Sequence, residues 1–388
     1  MHPADGLGRG IDLHRMTYAR VNLGQFGDNI KSIKESLHPN VMLLASVKAN
    51  AYGHGIVPIA KECEALGVDY LGVAIPEEGV LLRKNDIHLP ILILGASHRN
   101  SIPLIVSMGL SQAVTDPAFV LQLQQEAARQ NAIARVHIKC DTGMGRIGLR
   151  NMQSIIHLAE TIRNLPNVKL EGVFTHFATS DEKDKTYALQ QLEMFKRLVE
   201  QLRRDGFSFI AHAANSGAIL DLPEAQFDMV RAGIMIYGYY PSKEVSHSVK
   251  VHPFMSFLAY VTQIKDVEAG ESIGYNRTFT TKRPTLVATV AAGYGDGYKR
   301  IFSNRAHVLV NGKRVPVIGR VSMDQITIDI THAGEVSVGD EVVLLGGMAD
   351  EAIDADELAG LADTISYEIL LSISERVPRI YEHGYTKH

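Results

Sequence analysis

The sequence predicts an α/β protein with an N-terminal (β/α)8 barrel followed by a mostly β C-terminal domain. Between residues 23 and 240, short apolar runs alternate with longer amphipathic segments, which is the pattern of parallel strands covered by helices. Eight such apolar runs occur in this stretch, and that number fits a closed barrel better than an open doubly wound sheet. After about residue 250 the chain changes to strands separated by Gly, Asn-Gly and Pro, with few helical segments.

Each apolar run of the first part predicts one barrel strand. The runs are MLLASVKA (42–49), YLGVA (70–74), PILILG (90–95), QAVT (112–115), ARVHIKCDT (134–142), KLEGVFTHF (169–177), FIAHAANS (209–216) and MVRAGIMIYG (229–238). The segments between them repeat apolar residues at helical spacing, as in GQFGDNIKSIKESL, PAFVLQLQQEAARQ and YALQQLEMFKRLVEQLRRDG. We therefore predict helices on the outer face of the barrel.

The second part predicts a β domain. Its strands are FLAYVTQIKDV, TLVATVAAGY, HVLVNGKRVPVIGRV, QITIDIT and EVVLLGG. Asn311-Gly312 separates two strand-like runs and predicts a tight hairpin. We place the boundary in PSKEVSHSVKVHP (241–253), so that residues 1–250 form the barrel domain, with residues 1–16 as a tail, and residues 251–388 form the C-terminal domain.

Composition and charge exclude several classes of protein. The 388 residues include 39 Lys+Arg and 43 Asp+Glu, for a net charge of −4, which argues against nucleic-acid and membrane partners. No apolar run approaches the roughly 18 residues of a membrane span, and the first 20 residues lack the apolar segment of a signal peptide. The sequence therefore predicts a cytoplasmic protein. Cys63 and Cys140 form no CxxC pair and no HxH or HExxH motif occurs, so no metal site is predicted.

In a barrel, the side chains at the C-terminal strand ends gather on one functional face. The predicted strand ends supply Lys48, Lys139, Asp141, His176, Asn215 and Ser216, and Arg231 lies within the last strand. A lysine that closes an apolar strand either extends its ammonium group to solvent or has a chemical use, because burying that group is costly. The segment KANAYGHG (48–55) favours a chemical use, since an aromatic hydroxyl and several glycines suit a carbonyl cofactor and its phosphate. Desolvation lowers the pKa of a lysine, which suits Schiff-base formation.

The segment VKANAYGHG (47–55) resembles the pyridoxal-phosphate signature of the alanine racemase family, in which the lysine forms the internal aldimine with the cofactor. The resemblance continues, in the family's order, through DTGMGRIG (141–148), GVFTHFATSDE (172–182), HAANSGA (212–218), VRAGIMIYG (230–238), GESIGY (270–275), GYGDGY (293–298), GRVSMDQ (319–325) and ISYEILLSISERVPR (365–379). It implies a homodimer with shared active sites that interconverts L-alanine and D-alanine, with pyridoxal 5'-phosphate as cofactor. It also implies a biosynthetic role, the supply of D-alanine for cell-wall peptidoglycan.

The resemblance implies a role for each matching residue. Lys48 would bind the cofactor and exchange a proton with one face of the substrate α-carbon, and Tyr275 of the partner subunit would do so on the opposite face. Arg231 would face the pyridine nitrogen. The cofactor phosphate would be held by Tyr52, Ser216, Tyr367 and the backbone amides of Gly233 and Ile234.

Further residues would act on the substrate or on the catalytic groups. Arg146 and the backbone amide of Met323 would bind the substrate carboxylate. Lys139 is carbamylated in several family members, where it positions the carboxylate-binding arginine; the alternative is a simple ion pair with Asp141. His176 would link the partner's Tyr275 to Arg231, and the substrate entrance would be lined by Tyr294 and Arg300.

These roles have a physical rationale. Racemisation removes a proton from one face of a carbon and returns it to the other, so two groups on opposite sides suit it. A tyrosine, with an ordinary pKa near 10, acts as a base at neutral pH only if nearby cations favour the phenolate, and His176 with Arg231 would supply that environment. A guanidinium at the pyridine nitrogen leaves this nitrogen unprotonated, which stabilises the carbanion less and disfavours side reactions. The fork of Arg146 suits a carboxylate.

Two positions differ from the family's pattern and leave the substrate open. Ser322 stands where Cys is common, and Gly274 stands where Ser is frequent. Both lie near the predicted substrate, so a serine racemase or a broader amino-acid racemase is an alternative.

The sequence disfavours three other classes of protein. A decarboxylase of the same architecture usually carries a Gly-rich phosphate loop, an acidic partner for the ring nitrogen and a Cys in the C-terminal domain, and none of these is evident. A cofactor-binding regulator without catalysis does not explain Tyr275 or the complete second domain. A metal-dependent barrel hydrolase lacks its HxH motif.

Overall fold

The structure, a computed structural model, describes residues 15–383. These residues form two compact units: one holds Asn22–Phe254 together with residues 381–383, and the other holds residues 15–21 together with Met255–Ile380. Most of the predicted tail, residues 1–14, lies outside the described residues. The division into functional domains at residues 250 and 251 stays a prediction.

The larger unit is a closed barrel of eight parallel strands. The strands are β2 (Met42–Ser46), β3 (Tyr70–Val73), β4 (Ile91–Ile93), β5 (Ser111–Val114), β6 (Ala134–Lys139), β7 (Val168–Phe174), β8 (Ile210–His212) and β9 (Met229–Ala232). Each strand pairs with the next in parallel, and β9 closes onto β2 with Arg231 beside Leu44. The predicted (β/α)8 barrel is confirmed, and every one of the eight apolar runs contributes a strand.

Within the described residues, the barrel unit also contains nine segments with α-type helical hydrogen bonds. They are α1 (Leu23–Ser36), α2 (Lys48–Tyr52), α3 (Ile56–Ala65), α4 (Pro76–Arg83), α5 (Ile102–Ser107), α6 (Pro117–Arg129), α7 (Met152–Arg163), α8 (Thr186–Arg204) and α9 (Ser216–Asp221). Side-chain caps mark several starts: Asn22, Asp116, Asn151 and Asn215 each accept a hydrogen bond from a backbone amide in the first turn. The first turn after β2 is different, because α2 is left-handed.

The smaller unit is mostly β, as predicted. Its strands are β1 (Thr17–Asn22), β10 (Met255–Val267), β11 (Ser272–Ile273), β12 (Phe279–Thr280), β13 (Thr285–Val290), β14 (His307–Val310), β15 (Lys313–Pro316), β16 (Ile326–Asp329), β17 (Glu341–Met348), β18 (Glu351–Ile353) and β19 (Arg379–Glu382), with helices α10 (Ala355–Ala362) and α11 (Ser366–Ser372). Its main sheet has the order β15-β14-β17-β10-β1-β19. The long strand β10 shifts register between Val261 and Gln263 where it pairs with β13, and such an irregularity bends a strand.

Two local features of this unit bear on the predictions. The Asn311-Gly312 hairpin is confirmed: β14 and β15 are antiparallel, and both turn residues have positive φ, 50° and 70°, as a tight hairpin turn requires. The strand β1, which the sequence analysis did not predict, pairs antiparallel with β10, with Thr17 opposite Ala259.

Residues 15–383 contain neither a candidate membrane span nor a candidate metal-binding cluster. No helix there has the length and apolar character needed to cross a membrane. No group of three or more His, Cys, Asp or Glu side chains there is arranged to hold a metal ion.

Candidate active site

Four cations converge at the C-terminal end of the barrel strands. Lys48 follows β2, Lys139 ends β6, Arg146 lies in the loop after β6, and Arg231 lies in β9. Among the described residues, neither Lys48 nor Lys139 makes an ion pair with a carboxylate, and Arg231 does not either. Such a concentration of positive charge favours anionic groups, such as a phosphate and a carboxylate.

The backbone that carries Lys48 is strained. The next four residues, Ala49 to Tyr52, all have φ between 51° and 53°, in the left-handed region that costs roughly 1–2 kcal/mol for each residue with a side chain. Glu78 holds this turn: its Oε1 accepts from the Ala49 amide at 2.5 Å, and its Oε2 accepts from the Ala74 amide at 2.8 Å. Glu78 therefore ties the turn after β2 to the loop after β3.

The electrostatic surroundings of Lys48 favour its neutral amine. Burial lowers the pKa of Lys48, and the positive charges of Arg146 and Arg231 lower it further, against an opposing effect of Glu78. A lysine needs its neutral amine to attack a carbonyl group. A lowered pKa of Lys48 is therefore compatible with the predicted Schiff base.

Beside Lys48 lies a pocket of hydroxyl and amide groups. The amide of Gly233 donates to Ser216 Oγ at 3.0 Å. A Cβ on Gly233 would lie 3.2 Å from the Tyr52 hydroxyl and 3.6 Å from Ser216 Oγ, so the missing side chain leaves room between the two hydroxyls. The Tyr52 ring stacks on Tyr237, with centroids 4.6 Å apart. Hydroxyls and glycine backbone amides are groups that bind phosphate, so these residues fit the phosphate of pyridoxal phosphate.

The Arg231 guanidinium is buried, and its partners within residues 15–383 are all neutral acceptors. It donates to the carbonyl oxygens of Thr175 at 2.7 Å, Ala213 at 2.9 Å and His212 at 3.0 Å. It also contacts His212 Nδ1 at 3.1 Å and His176 Nδ1 at 3.3 Å. Burial lowers the pKa of Arg231 to about 9, which leaves the group a cation at neutral pH.

Lys139 is enclosed inside the barrel mouth, with 4% of its surface exposed. Its ammonium nitrogen lies 4.2 Å from the centre of the Phe174 ring. Burial, followed by the charge of Arg231, holds the pKa of Lys139 well below its ordinary value. Lys139 and Asp141 do not form the alternative ion pair within residues 15–383. Asp141 instead pairs with Arg150, at 3.2 Å.

The loop that presents Arg146 is organised by Asp141. The Asp141 carboxylate accepts from the amides of Gly143 at 3.0 Å and Gly145 at 2.9 Å. The Tyr187 hydroxyl donates to the Gly143 carbonyl at 2.9 Å, and a Cβ on Gly143 would lie 2.4 Å from this hydroxyl oxygen. Arg146 is exposed beyond these contacts.

The other predicted site residues lie in the smaller unit. Tyr275 follows Gly274, whose φ is 71°, and is 68% exposed. It borders an open cavity of about 800 Å³ whose lining includes Lys265 and Arg320. The remaining predicted residues of this unit are Tyr294, Arg300, Met323 and Tyr367. Within this unit the Gly295 amide donates to the Met323 carbonyl at 2.8 Å.

Comparison with known proteins identifies the family. The family model described as alanine racemase, N-terminal domain, matches residues 21–241, and the model for the C-terminal domain matches residues 254–381. The chain belongs to the alanine racemase family. It is therefore an enzyme of the isomerase class, as the sequence predicted.

Individual members of the family match over almost the whole chain. The alanine racemase of Symbiobacterium thermophilum is 45% identical over 372 residues, which are 96% of this chain and 98% of that protein. The structure of the alanine racemase from Bacillus anthracis with bound L-Ala-P is similar at a TM-score of 0.90 and 38% identity, with 96% of each chain covered. The structure from Bartonella henselae with covalently bound pyridoxal phosphate has a TM-score of 0.83 and 29% identity, covering 95% of this chain and 99% of that one.

One departure from the alanine racemase pattern has a clear local explanation. The Ser322 hydroxyl donates to the Gln325 carbonyl at 2.6 Å, and the Ser322 amide donates to the same oxygen at 3.0 Å. The side chain therefore closes its own turn. At Gly274, a Cβ would lie 3.2 Å from the Arg320 amide nitrogen, and the positive φ already disfavours a side chain.

Sequence reasoning missed two groups of this alanine racemase site. Glu78 carries a usable signal, because it stands in the first turn of a helix, three residues after Ile75, at the position from which a glutamate caps backbone amides. His137 on β6 and Glu171 on β7, whose side chains meet at 3.1 Å, carry no such signal, because both lie inside apolar strand runs. The roles of the predicted site residues stay predictions, although the structure gathers the barrel members among them at the mouth.

Proposed function

We propose that this protein interconverts L-alanine and D-alanine with pyridoxal phosphate bound at the barrel mouth and attached to Lys48. The observation that carries the proposal is the combination of a lysine of lowered pKa, a hydroxyl and amide pocket beside it, and a buried arginine without a carboxylate partner among the described residues. When bound, pyridoxal phosphate supplies an electron sink that makes the substrate α-proton acidic.

In this proposal two groups exchange protons with opposite faces of the substrate α-carbon. Lys48 Nζ acts on one face, and its lowered pKa supports its use as a base near neutral pH. The partner subunit's Tyr275 acts on the other face. His176, which contacts Arg231 at 3.3 Å, would connect this phenol to the guanidinium charge. A nearby cation favours the phenolate that a basic tyrosine needs.

The cofactor contacts follow from the pocket. The phosphate would be held by Tyr52, Ser216, Tyr367 and the amides of Gly233 and Ile234. Arg231 would face the ring nitrogen. A guanidinium offers only donors, so it binds an unprotonated ring nitrogen and does not protonate it at neutral pH. This supports proton exchange over reactions that need a stronger electron sink.

The substrate carboxylate would be bound by Arg146 and the Met323 amide. We also propose that Lys139 is carbamylated. Burial and the charge of Arg231 favour its neutral amine, which would add to carbon dioxide to form a carbamate anion and release one proton. The new anion would pair with Arg146 and orient it. Tyr294 and Arg300, both exposed, would line the entrance.

Alanine is the proposed substrate rather than serine. The proton of the Ser322 hydroxyl is used by Gln325, so it is not offered to a substrate hydroxyl. A site that does not bind the serine hydroxyl gains nothing from it. A broader specificity is the second candidate, and Arg231 in place of an acidic partner argues against a decarboxylase.

We further propose a homodimer whose two sites each combine Lys48 of one subunit with Tyr275 of the other. The large exposed fraction of Tyr275 supports a role at a partner's surface. We propose a cytoplasmic location and a biosynthetic role, the supply of D-alanine for peptidoglycan. A strain that lacks the gene and has no second racemase should then require D-alanine for growth.

Exchange of the α-proton in deuterated water tests the reaction. Purified holoenzyme is incubated with a panel of L- and D-amino acids, including alanine and serine. We expect deuterium at the α-carbon of both alanine enantiomers, slower exchange with serine, and no carbon dioxide release. Release of carbon dioxide, or equal rates for alanine and serine, would contradict the proposal. Lys48→Ala should lose the visible absorption band of the lysine–cofactor Schiff base.

A further inference from the structure

A continuous polar chain runs from Arg231 into the interior of the barrel. Arg231 Nη1 contacts His212 Nδ1 at 3.1 Å. His212 Nε2 contacts His137 Nδ1 at 2.9 Å, and His137 Nε2 contacts Glu171 Oε2 at 3.1 Å. The chain links a guanidinium at the barrel mouth to a carboxylate through two imidazole rings.

Packing inside the barrel holds the two histidine rings of this polar chain in place. Both histidine rings are fully buried, and the Phe174 ring stacks on His212 at 4.7 Å with only 3° between the planes. A Cβ on Gly172 would lie 2.1 Å from His137 Nδ1, so this strand position needs a glycine for the ring to fit. Placing two imidazoles inside a barrel is costly unless every ring nitrogen is bonded, and here every one is.

The two ends of the chain determine where its protons lie. A guanidinium can only donate and an ionised carboxylate can only accept. Arg231 therefore donates to Nδ1 of His212, which places the proton of His212 on Nε2. That proton is donated to Nδ1 of His137, whose own proton then lies on Nε2 and is donated to Glu171. A protonated His137 would reverse the middle bond and set a His212 Nδ1 proton against Arg231.

Glu171 is held as an anion at the end of this chain. Burial alone would raise the pKa of Glu171, but hydrogen bonds from His137 and Ser111 outweigh it, so that the pKa is lowered. The other carboxylate oxygen lies 3.5 Å from Arg135, a residue with an exposed side chain. Burial also lowers the pKa values of His137 and His212, so both rings stay neutral.

We propose that Glu171 is the counter-ion of Arg231, acting through His212 and His137, and that this chain is a positioning device for the guanidinium. All hydrogen bonds in it point from Arg231 toward Glu171, and aligned bonds of this kind polarise one another. The carboxylate thereby stabilises the cation and fixes its orientation without touching it. The consequence for catalysis rests on the proposed function, in which Arg231 binds the ring nitrogen of the cofactor.

Nitrogen-15 NMR of histidine-labelled, cofactor-free protein tests the chain without any turnover. At neutral pH, His137 and His212 should each show a protonated Nε2 and an unprotonated Nδ1. Glu171→Gln should lose this single pattern, because a glutamine can donate as well as accept and removes the charge. The matched control Glu193→Gln breaks an exposed pair with Arg197 on α8 and should leave the pattern unchanged. A protonated Nδ1 on either ring of the wild type would overturn the proposal, whatever the protein catalyses.

Steady-state kinetics of the holoenzymes provide a second test of the positioning role. We expect Glu171→Gln to lower kcat about 10- to 100-fold, the size expected when a hydrogen bond to a charged group is lost, and to change KM for alanine little, because Arg231 does not bind the substrate. Glu193→Gln should keep the wild-type kcat. Equal kcat values in the two variants would overturn the positioning role even if the NMR pattern is as expected.

Discussion

At the scale of single residues, the site is governed by basic side chains that form no ion pair with a carboxylate among the described residues. Lys48, Lys139 and Arg231 all have pKa values below their ordinary ones, and burial is the largest cause in each case. The same burial that makes these groups costly to fold favours the neutral form of the two amines. Burial of these groups therefore lowers the stability of this end of the barrel while it lowers their pKa values.

The lowered pKa of Lys48 predicts the pH dependence of cofactor attachment. A lowered pKa means that the neutral amine forms at lower pH, so pyridoxal phosphate should attach to cofactor-free protein with a half-maximal rate below pH 10.5, the ordinary lysine value. Arg146→Gln removes a charge that lowers this pKa, so the profile should move to higher pH. Stopped-flow absorbance measures the rates, and an unchanged profile in Arg146→Gln would argue against this electrostatic coupling.

Sequence reasoning found most cations of the site because they lie next to distinctive blocks such as KANAYGHG and DTGMGRIG. It could not find Glu171, because a carboxylate in the run KLEGVFTHF reads as a solvent-facing residue of a strand. Only the folded structure shows that the Glu171 carboxylate contacts the buried ring of His137. His212 lies within a recognised block, but its bond to Arg231 is not visible in the sequence.

At the scale of elements, the barrel strands were predictable and the turn after the first of them was not. Buried parallel strands read as continuous apolar runs, and all eight runs became strands. The left-handed α2 contains no glycine within Ala49–Tyr52, so nothing local signals its positive φ values. The Ala49 amide of this turn donates to Glu78, a tertiary contact that the local sequence does not show. Strand β1 was missed for a related reason, since its partner β10 lies more than 230 residues away in the chain.

Glu78 should therefore matter more than its neighbour in the same helical turn. Glu78→Ala removes the carboxylate that accepts hydrogen bonds from the amides of Ala49 and Ala74, which should lower the free energy of unfolding by about 1–3 kcal/mol and speed cofactor loss. The control Glu77→Ala changes an exposed side chain of α4 and should stay within about 0.5 kcal/mol of wild type. Urea unfolding and cofactor dissociation rates measure both effects. Equal behaviour of the two variants would show that Glu78 does not hold the turn.

At the scale of the whole molecule, the two units carry different parts of the proposed machinery. The barrel unit holds Lys48 and Arg231, and the smaller unit holds Tyr275 and Met323. The change of texture near residue 250 predicted a barrel followed by a mostly β domain, because a barrel and an antiparallel sheet follow different hydrophobic patterns. No local sequence pattern indicates the contribution of a second subunit. The proposal of a shared site is based on family resemblance and on the exposure of Tyr275.

Subunit mixing tests the central claim, that Lys48 of one subunit and Tyr275 of another act on the same substrate. Lys48→Ala and Tyr275→Phe proteins are each purified, mixed, and allowed to exchange subunits, with exchange confirmed by differently tagged chains. Each variant alone should have almost no alanine racemisation. The mixed dimer should recover activity, because one of its two sites then contains both intact residues. Confirmed exchange without recovery of activity would contradict a site shared between subunits.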